Sequence, residues 1–264
     1  MRCHPQVLRS STHALVRQVR DVVRGKQDAW ILLEGVRLVQ DALLAGSQIS
    51  AILVREDRQE ELQALQAPSS EAFAVAPALY DRLGSVKNPP PVMALARPPR
   101  PFAWQDLPRH ADPLVLVVAG VADPGNFGAL ARSAEAAGAR ALIRVGPGVQ
   151  PFHPKALRGS MGSLLRLPVL VEASAEKAQT ELEGLGFRQA CAATRGGQAP
   201  NSMDWSGPLA LWVTGETGEQ PAVMDGMIGV TIPLAHGVES LNVTVAASLL
   251  LFAAGRVAGL QHHD

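Results

Sequence analysis

The chain has 264 residues, 47% hydrophobic and 18% charged, a composition that supports one large or two modest folded domains and excludes a mainly disordered chain. Lys plus Arg and Asp plus Glu number 24 each, so the formal net charge is zero and no global basic field points to a nucleic-acid partner. Cys3 and Cys191 are the only cysteines and form neither a CxxC pair nor a Cys/His set, which argues against a disulfide scaffold and structural zinc.

Two local features qualify that neutrality. Residues 1–26 carry Arg2, Arg9, Arg17, Arg20, Arg24 and Lys26 against Asp21 alone, and Arg132, Arg140, Arg144, Lys155, Arg158 and Arg166 face only Glu135 over 126–170. Such patches can contact phosphates in a neutral protein, and they are equally compatible with a solvated surface. The start, MRCHPQVLRS, lacks an apolar h-region, and no apolar run reaches the roughly 20 residues of a membrane span, so a cytoplasmic protein with no membrane partner is expected.

In chain order, residues 10–24 set Leu15, Val16, Val19, Val22 and Val23 at helical spacing with arginines opposite. This predicts a basic amphipathic helix, packed by its apolar stripe or laid on a polyanion by its arginines. From Ala29 the pattern alternates: strand WILLEG, helix VRLVQDALLAG, strand ISAILV, polar helix DRQEELQAL, weak strand FAVA, helix PALYDRLGSV, and a strand in KNPPPVMALAR. Residues 1–97 therefore read as a small α/β sandwich domain. Proline-crowded residues 98–111 read as a linker.

Residues 112–264 read as a second α/β domain. LVLVVAGV suits the centre of a parallel sheet. A small-residue helix to Gly138, strand ALIRV, and a loop and helix in GPGVQPFHPKALRGSMGSLLRL follow. Then come strand PVLVEA, helix AEKAQTELEGLG and strand FRQACAA. The loop TRGGQAPNSMDWSGP leads to strand LALWV, a short helical segment to Met227, strand GVTIPL and an almost wholly apolar final helix. This order predicts an open parallel sheet with helices on both faces. Ser240 and Asn242 are both good N-cap residues for the final helix, which should start at Val243. With no polar face before Arg256, that helix needs apolar cover on most sides.

Three stretches fall at carboxyl ends of predicted strands, where open α/β sheets bind ligands. In Asp123-Pro-Gly-Asn126-Phe-Gly128-Ala-Leu-Ala-Arg132, Gly128 and Arg132 lie one turn apart on a helix face, with Asn126 near its start. A guanidinium is a poor proton acceptor, so the role its chemistry supports is gripping a phosphate and polarising a hydroxyl, with proton removal left open. The second stretch is Val213-Thr214-Gly215-Glu216-Thr217-Gly218-Glu219; it lacks G-x-G-x-x-G, which disfavours a dinucleotide oxidoreductase. The third runs from Ile232-Pro-Leu234 to Ser240-Leu241-Asn242-Val-Thr244.

Taken together these strings resemble the SpoU (TrmH) family of RNA ribose 2'-O-methyltransferases. N-x-G-x-x-x-R is its first motif. The stretch around Glu216 is similar to its second, G-x-E-x-x-G, with Thr214 and Glu219 standing where glycines are usual. I-P-L followed by S-L-N-V-T resembles its C-terminal signature, and LLEGVRLVQDAL resembles the RNA substrate-binding domain that precedes many members. The resemblance implies a SPOUT-type sheet closed by a deep C-terminal trefoil knot. It implies S-adenosylmethionine as cofactor, held by Thr194, Thr214, Gly215, Glu216, Ile232, Leu234 and Leu241. Arg132 would be catalytic, with Asn126, Glu216, Ser240 and Asn242 in the active site and no metal. The implied substrate is structured RNA, ribosomal more than transfer RNA, acted on by a homodimer built on the final helix. The altered second motif leaves open a relative that binds RNA and has lost methyl transfer.

Overall fold

The computed structural model describes residues 5–65, 72–108, 112–215 and 226–255. The chain forms two compact units, one from Met1–Arg100 with Phe152–Arg166, the other from Pro101–Pro151 with Leu167–Asp264.

The first unit contains β1 (Gln6–Leu8), α1 (Ala14–Val23), β2 (Ile31–Glu34), α2 (Val36–Leu44), β3 (Ile49–Arg55), β4 (Ala72–Val75), α3 (Pro77–Tyr80) and β5 (Val92–Ala96). Its sheet has the order β1-β4-β3-β5-β2; β1, β4 and β3 run parallel, and β5 is antiparallel to β3 and β2. Strand alternation explains the two layers. Leu32, Leu53, Met93 and Leu95 pack against the α1 stripe Leu15, Val16, Val19 and Val22. Burying each such aliphatic chain contributes about 1.5–3 kcal/mol. The alternate set, Leu33, Ile52 and Ala94, is equally buried on the face served by α2.

Three local readings differ from the sequence expectation. β1 is an additional three-residue strand. Residues Glu56–Leu65 form 3-10 turns broken at Arg58 (φ −134°), where an α-helix was expected. α3 is a single turn, because Glu34 Oε1 accepts the Ser85 amide at 2.7 Å and draws the chain out of the helix.

The second unit holds β6 (Leu114–Ala119), α4 (Pro124–Ala136) and β7 (Ala141–Val145). The chain then contributes α5 (Pro154–Ser160) and α6 (Ser163–Arg166) to the first unit, where Arg158 pairs with the buried carboxylate of Glu34 and bonds the Ser85 hydroxyl. A single helix was expected here. Met161 (φ 48°) and Gly162 (φ 87°) break it in two. The second unit resumes with β8 (Val169–Glu172), α7 (Ala175–Gly184), β9 (Arg188–Ala192), β10 (Leu209–Thr214), β11 (Ile228–Val230) and α8 (Val243–Gly255). The short helical segment expected before Met227 lies mostly outside the described residues.

Every strand pair in this sheet is parallel, in the order β11-β9-β10-β6-β7-β8. Val115, Val117, Ile143 and Val145 face α7 through Ala178 and Leu182. α4 and α8, which pack on each other, take the opposite face. From β6 the chain builds outward to β8, then returns to β6's other edge, so β6 and β10 flank the point where strand order reverses. The stretch read as a linker is not free: Phe102 and Trp104 pack on this core, Leu107 is buried, and Trp104 Nε1 donates to Glu172 at 3.2 Å.

Candidate functional site

The C-terminal ends of β9, β10 and β11 and the start of α8 enclose a cavity of about 310 Å³, at the lower end of the range for small-molecule sites. Its shape follows from three local decisions of the chain. β10 ends where the Gly215 amide donates to Ala119 O at 3.0 Å. A Cβ at position 215 would stand 2.2 Å from Gly120 O, so only glycine lets the exits of β10 and β6 meet there. After β9, the chain loops round to bridge β11 in parallel: Ala193 N–H donates to Val230 O at 2.9 Å, and Gln198 N–H to Gly229 O at 3.0 Å. A Cβ on Gly197 would lie 2.5 Å from the Gly229 carbonyl carbon, and the Gly197 amide donates to Thr231 Oγ1 at 2.9 Å. These contacts fix Thr194 at the rim. Finally, Asn242 caps α8 as expected: its Oδ1 accepts from Thr244 N–H at 2.9 Å and its carbonyl from Ala246 N–H at 3.0 Å.

Of the residues singled out in the sequence, Thr194, Thr214, Gly215, Ile232, Leu234, Ser240 and Leu241 all line this cavity. Asn242 caps the helix beside it. Glu216 lies outside the described residues. The sequence reading missed Val213, Val243, Ala246 and Leu250, which form an aliphatic wall. The signal was present in principle, because 243, 246 and 250 recur at helical spacing directly after the cap.

Asn126 and Arg132 sit on α4 and are not among the lining residues. Asp123 caps α4, its carboxylate accepting the Asn126 amide at 2.9 Å, with Pro124 in the first turn. Phe127, Gly128, Leu130 and Ala131 are buried. Two polar contacts tie α4 to α8: Ser133 and Ser248 hydroxyls lie 2.7 Å apart, and Thr244 Oγ1 donates to Asn126 O at 3.5 Å. The first motif and the cavity thus share one helix pair. Arg132 is exposed. No group of three His, Cys, Asp or Glu able to hold a metal occurs among the described residues.

Residues 113–252 match the SpoU rRNA Methylase family, and residues 18–94 match the MRM3-like substrate binding domain. The chain is 30% identical over 257 residues to an uncharacterised tRNA/rRNA methyltransferase of Synechocystis sp., covering 94% of this chain and 92% of that protein. It is 30% identical over 238 residues to the 23S rRNA (uridine(2479)-2'-O)-methyltransferase of Streptomyces viridochromogenes, covering 85% of this chain and 82% of the relative. The solved structure of the SpoU methyltransferase AviRb from Streptomyces viridochromogenes, in complex with the cofactor AdoMet, is similar with a TM-score of 0.80 at 26% identity, over 93% of this chain and 98% of that one.

Proposed function

The chain belongs to the SpoU rRNA methylase family, and from that premise we propose that it transfers a methyl group from S-adenosylmethionine to a ribose 2'-oxygen of structured RNA, most fittingly ribosomal RNA. The observation that carries this reading is the cavity at the carboxyl ends of β9, β10 and β11, the end of the sheet at which open α/β folds take their ligands. Its lining fits the cofactor. Val213, Leu241 and Leu250 offer an apolar wall for a flat ring, while the Thr194, Thr214 and Ser240 hydroxyls and the backbone at Gly215 offer polar edges. When bound, the cofactor supplies a methyl group on a sulfonium.

In this reading Arg132 grips the target phosphate and polarises the 2'-hydroxyl, while Asn126, Glu216, Ser240 and Asn242 complete the active site. The α4–α8 contact supports it by keeping the Arg132 helix in register with the cavity wall. Holding the hydroxyl in line with the methyl group and excluding water are effects worth several kcal/mol when the geometry is tight. The stretch from Ile232 to Asn242, folded over the ends of β9 and β10, is the segment that threads the family's trefoil knot. Residues 1–97 supply affinity for RNA, and α8 supplies the face of a homodimer. A cytoplasmic, reducing setting suits Cys191, which is a buried free thiol.

The test is transfer of tritiated methyl to RNA, with mass mapping of ribose methylation in cells with and without the gene. A ribose-methylated nucleotide that disappears with the gene supports the reading. Cofactor-free RNA binding with no methylation would instead indicate a relative that has lost transfer.

A further inference from the structure

We infer that Arg144 is a phosphate-binding residue for the RNA strand that carries the acceptor ribose, an inference that rests on the proposed methyltransferase reading. Arg144 lies one residue before the end of β7, in register with Val118 of β6 and Val171 of β8. Its neighbours Ile143 and Val145 point into the apolar core beneath α7, so by strand alternation Arg144 emerges on the α4 face. The side chain runs under the turn after β7. Nη1 donates to Gly146 O, and Cδ lies 4.0 Å from where a Cβ of Gly148 would stand. The same point is 3.2 Å from Val121 O, on the connection that leads into the capped start of α4.

This guanidinium is half-buried, yet its Nε is buried with no hydrogen-bond partner among the described residues. Burial depresses its pKa, and no carboxylate among the described residues offsets that cost. The sealed Nε lies beyond the reach of a ligand, so an arriving anion would meet the outer Nη2 of this half-buried cation. The planar fork suits a phosphate oxygen pair. S-adenosylmethionine also carries a carboxylate, but its cavity is lined from β9, β10 and β11, with β6 between β10 and β7. Arg144 is not part of that lining. The anion that fits this end of β7, next to the connection leading into α4, is therefore the RNA backbone.

The decisive variants are Arg144→Met, which keeps the stem and removes the charge, and Arg144→Lys, which keeps the charge. Four quantities are measured on the full chain: Tm, S-adenosylmethionine affinity, RNA affinity across a salt series, and methyl transfer. For Arg144→Met the Tm should equal or exceed that of the wild type, because an uncompensated charge has been removed. Cofactor affinity should be unchanged. RNA affinity at low salt should fall about tenfold or more, and the slope of log affinity against log salt should shrink by about one. Arg144→Lys should restore that slope. RNA affinity and salt slope equal to wild type in folded Arg144→Met, or in Arg144→Gln where the Met variant does not fold, would make Arg144 a brace of the 146–148 turn and overturn the inference. Weakened cofactor binding would reassign it to the cofactor carboxylate and overturn it as well. Wild-type protein that binds RNA but does not methylate it would defeat the methyltransferase reading instead, and the salt slope would still report on the phosphate contact.

Discussion

A Cβ on Gly215 would stand 2.2 Å from Gly120 O and 2.8 Å from the Gly120 carbonyl carbon, backbone atoms held by β6. Gly215→Ala should therefore part the exits of β10 and β6, displace Thr214 from the cavity wall, and cost about 1–3 kcal/mol as overpacking strain. Gly184 is the control. A Cβ there meets nothing within 4 Å, and in α7 alanine should be neutral or stabilising by up to about 1 kcal/mol. Thermal unfolding and cofactor titration check the pair; equal Tm and equal affinity for both variants would remove the steric argument. Arg132 poses the opposite case, an exposed side chain whose loss should change stability by no more than about 0.5 kcal/mol. Arg132→Ala should abolish methyl transfer while leaving Tm and cofactor binding intact. Substantial residual turnover in a tritiated-methyl assay would take Arg132 out of the mechanism.

Trp104, β8 and α7 are joined through one carboxylate. Glu172 accepts from Lys177 Nζ at 2.9 Å and from Trp104 Nε1 at 3.2 Å. Lys177 is the largest cause holding its pKa below the usual glutamate value, and burial opposes it. Because the folded value is the lower one, the stabilisation is fully present above the unfolded pKa, about 4.3, and is lost as pH falls below it. The Lys177 side chain is 57% exposed, so solvent screens the pair and its contribution is small. Lys177→Met should flatten the acid limb of the Tm–pH curve and leave Tm above pH 6 nearly unchanged; an unaltered acid limb would dismiss the pairing. These elements also show what was legible in the sequence. β6, β7, α4 and α7 announce themselves through apolar runs and helical spacing, and the Asn242 cap through its residue type. β1 does not, because three residues carry no periodicity and their partner β4 lies over sixty residues away. Nor does the anchoring of Trp104, since prolines around it read as linker and the acceptor Glu172 is distant in the chain. Local pattern likewise cannot show that α5 and α6 return to the first unit, which depends on Arg158 meeting Glu34.

At the scale of the whole molecule, the division of labour between the units sets the next test. A chain beginning at Asp112 would lose Trp104 and Leu107 from its core and leave α5 without Glu34, so truncation would confound binding with stability. Charge reversal on α1 avoids this, because Arg17 and Arg24 are exposed while the apolar stripe is buried. Arg17→Glu with Arg24→Glu should weaken RNA affinity and reduce the salt slope by about two, with turnover at saturating RNA preserved; unchanged affinity would sever α1 from RNA binding. The assembly prediction rests on α8. Val245, Leu249 and Phe252 are 48%, 51% and 44% exposed, and their spacing of four and three residues draws one stripe along the helix. Leu250 and Leu251, by contrast, are fully buried. An apolar stripe on a helix otherwise sunk in the core calls for a second apolar surface, and a two-fold copy of the same helix is self-complementary to it. The chain should therefore be a dimer by light scattering at micromolar concentration. Leu249→Glu should give folded, soluble monomers with little activity, whereas Leu250→Glu should fail to fold because its side chain is core. A wild-type chain that is monomeric and fully active at that concentration would end the dimer prediction.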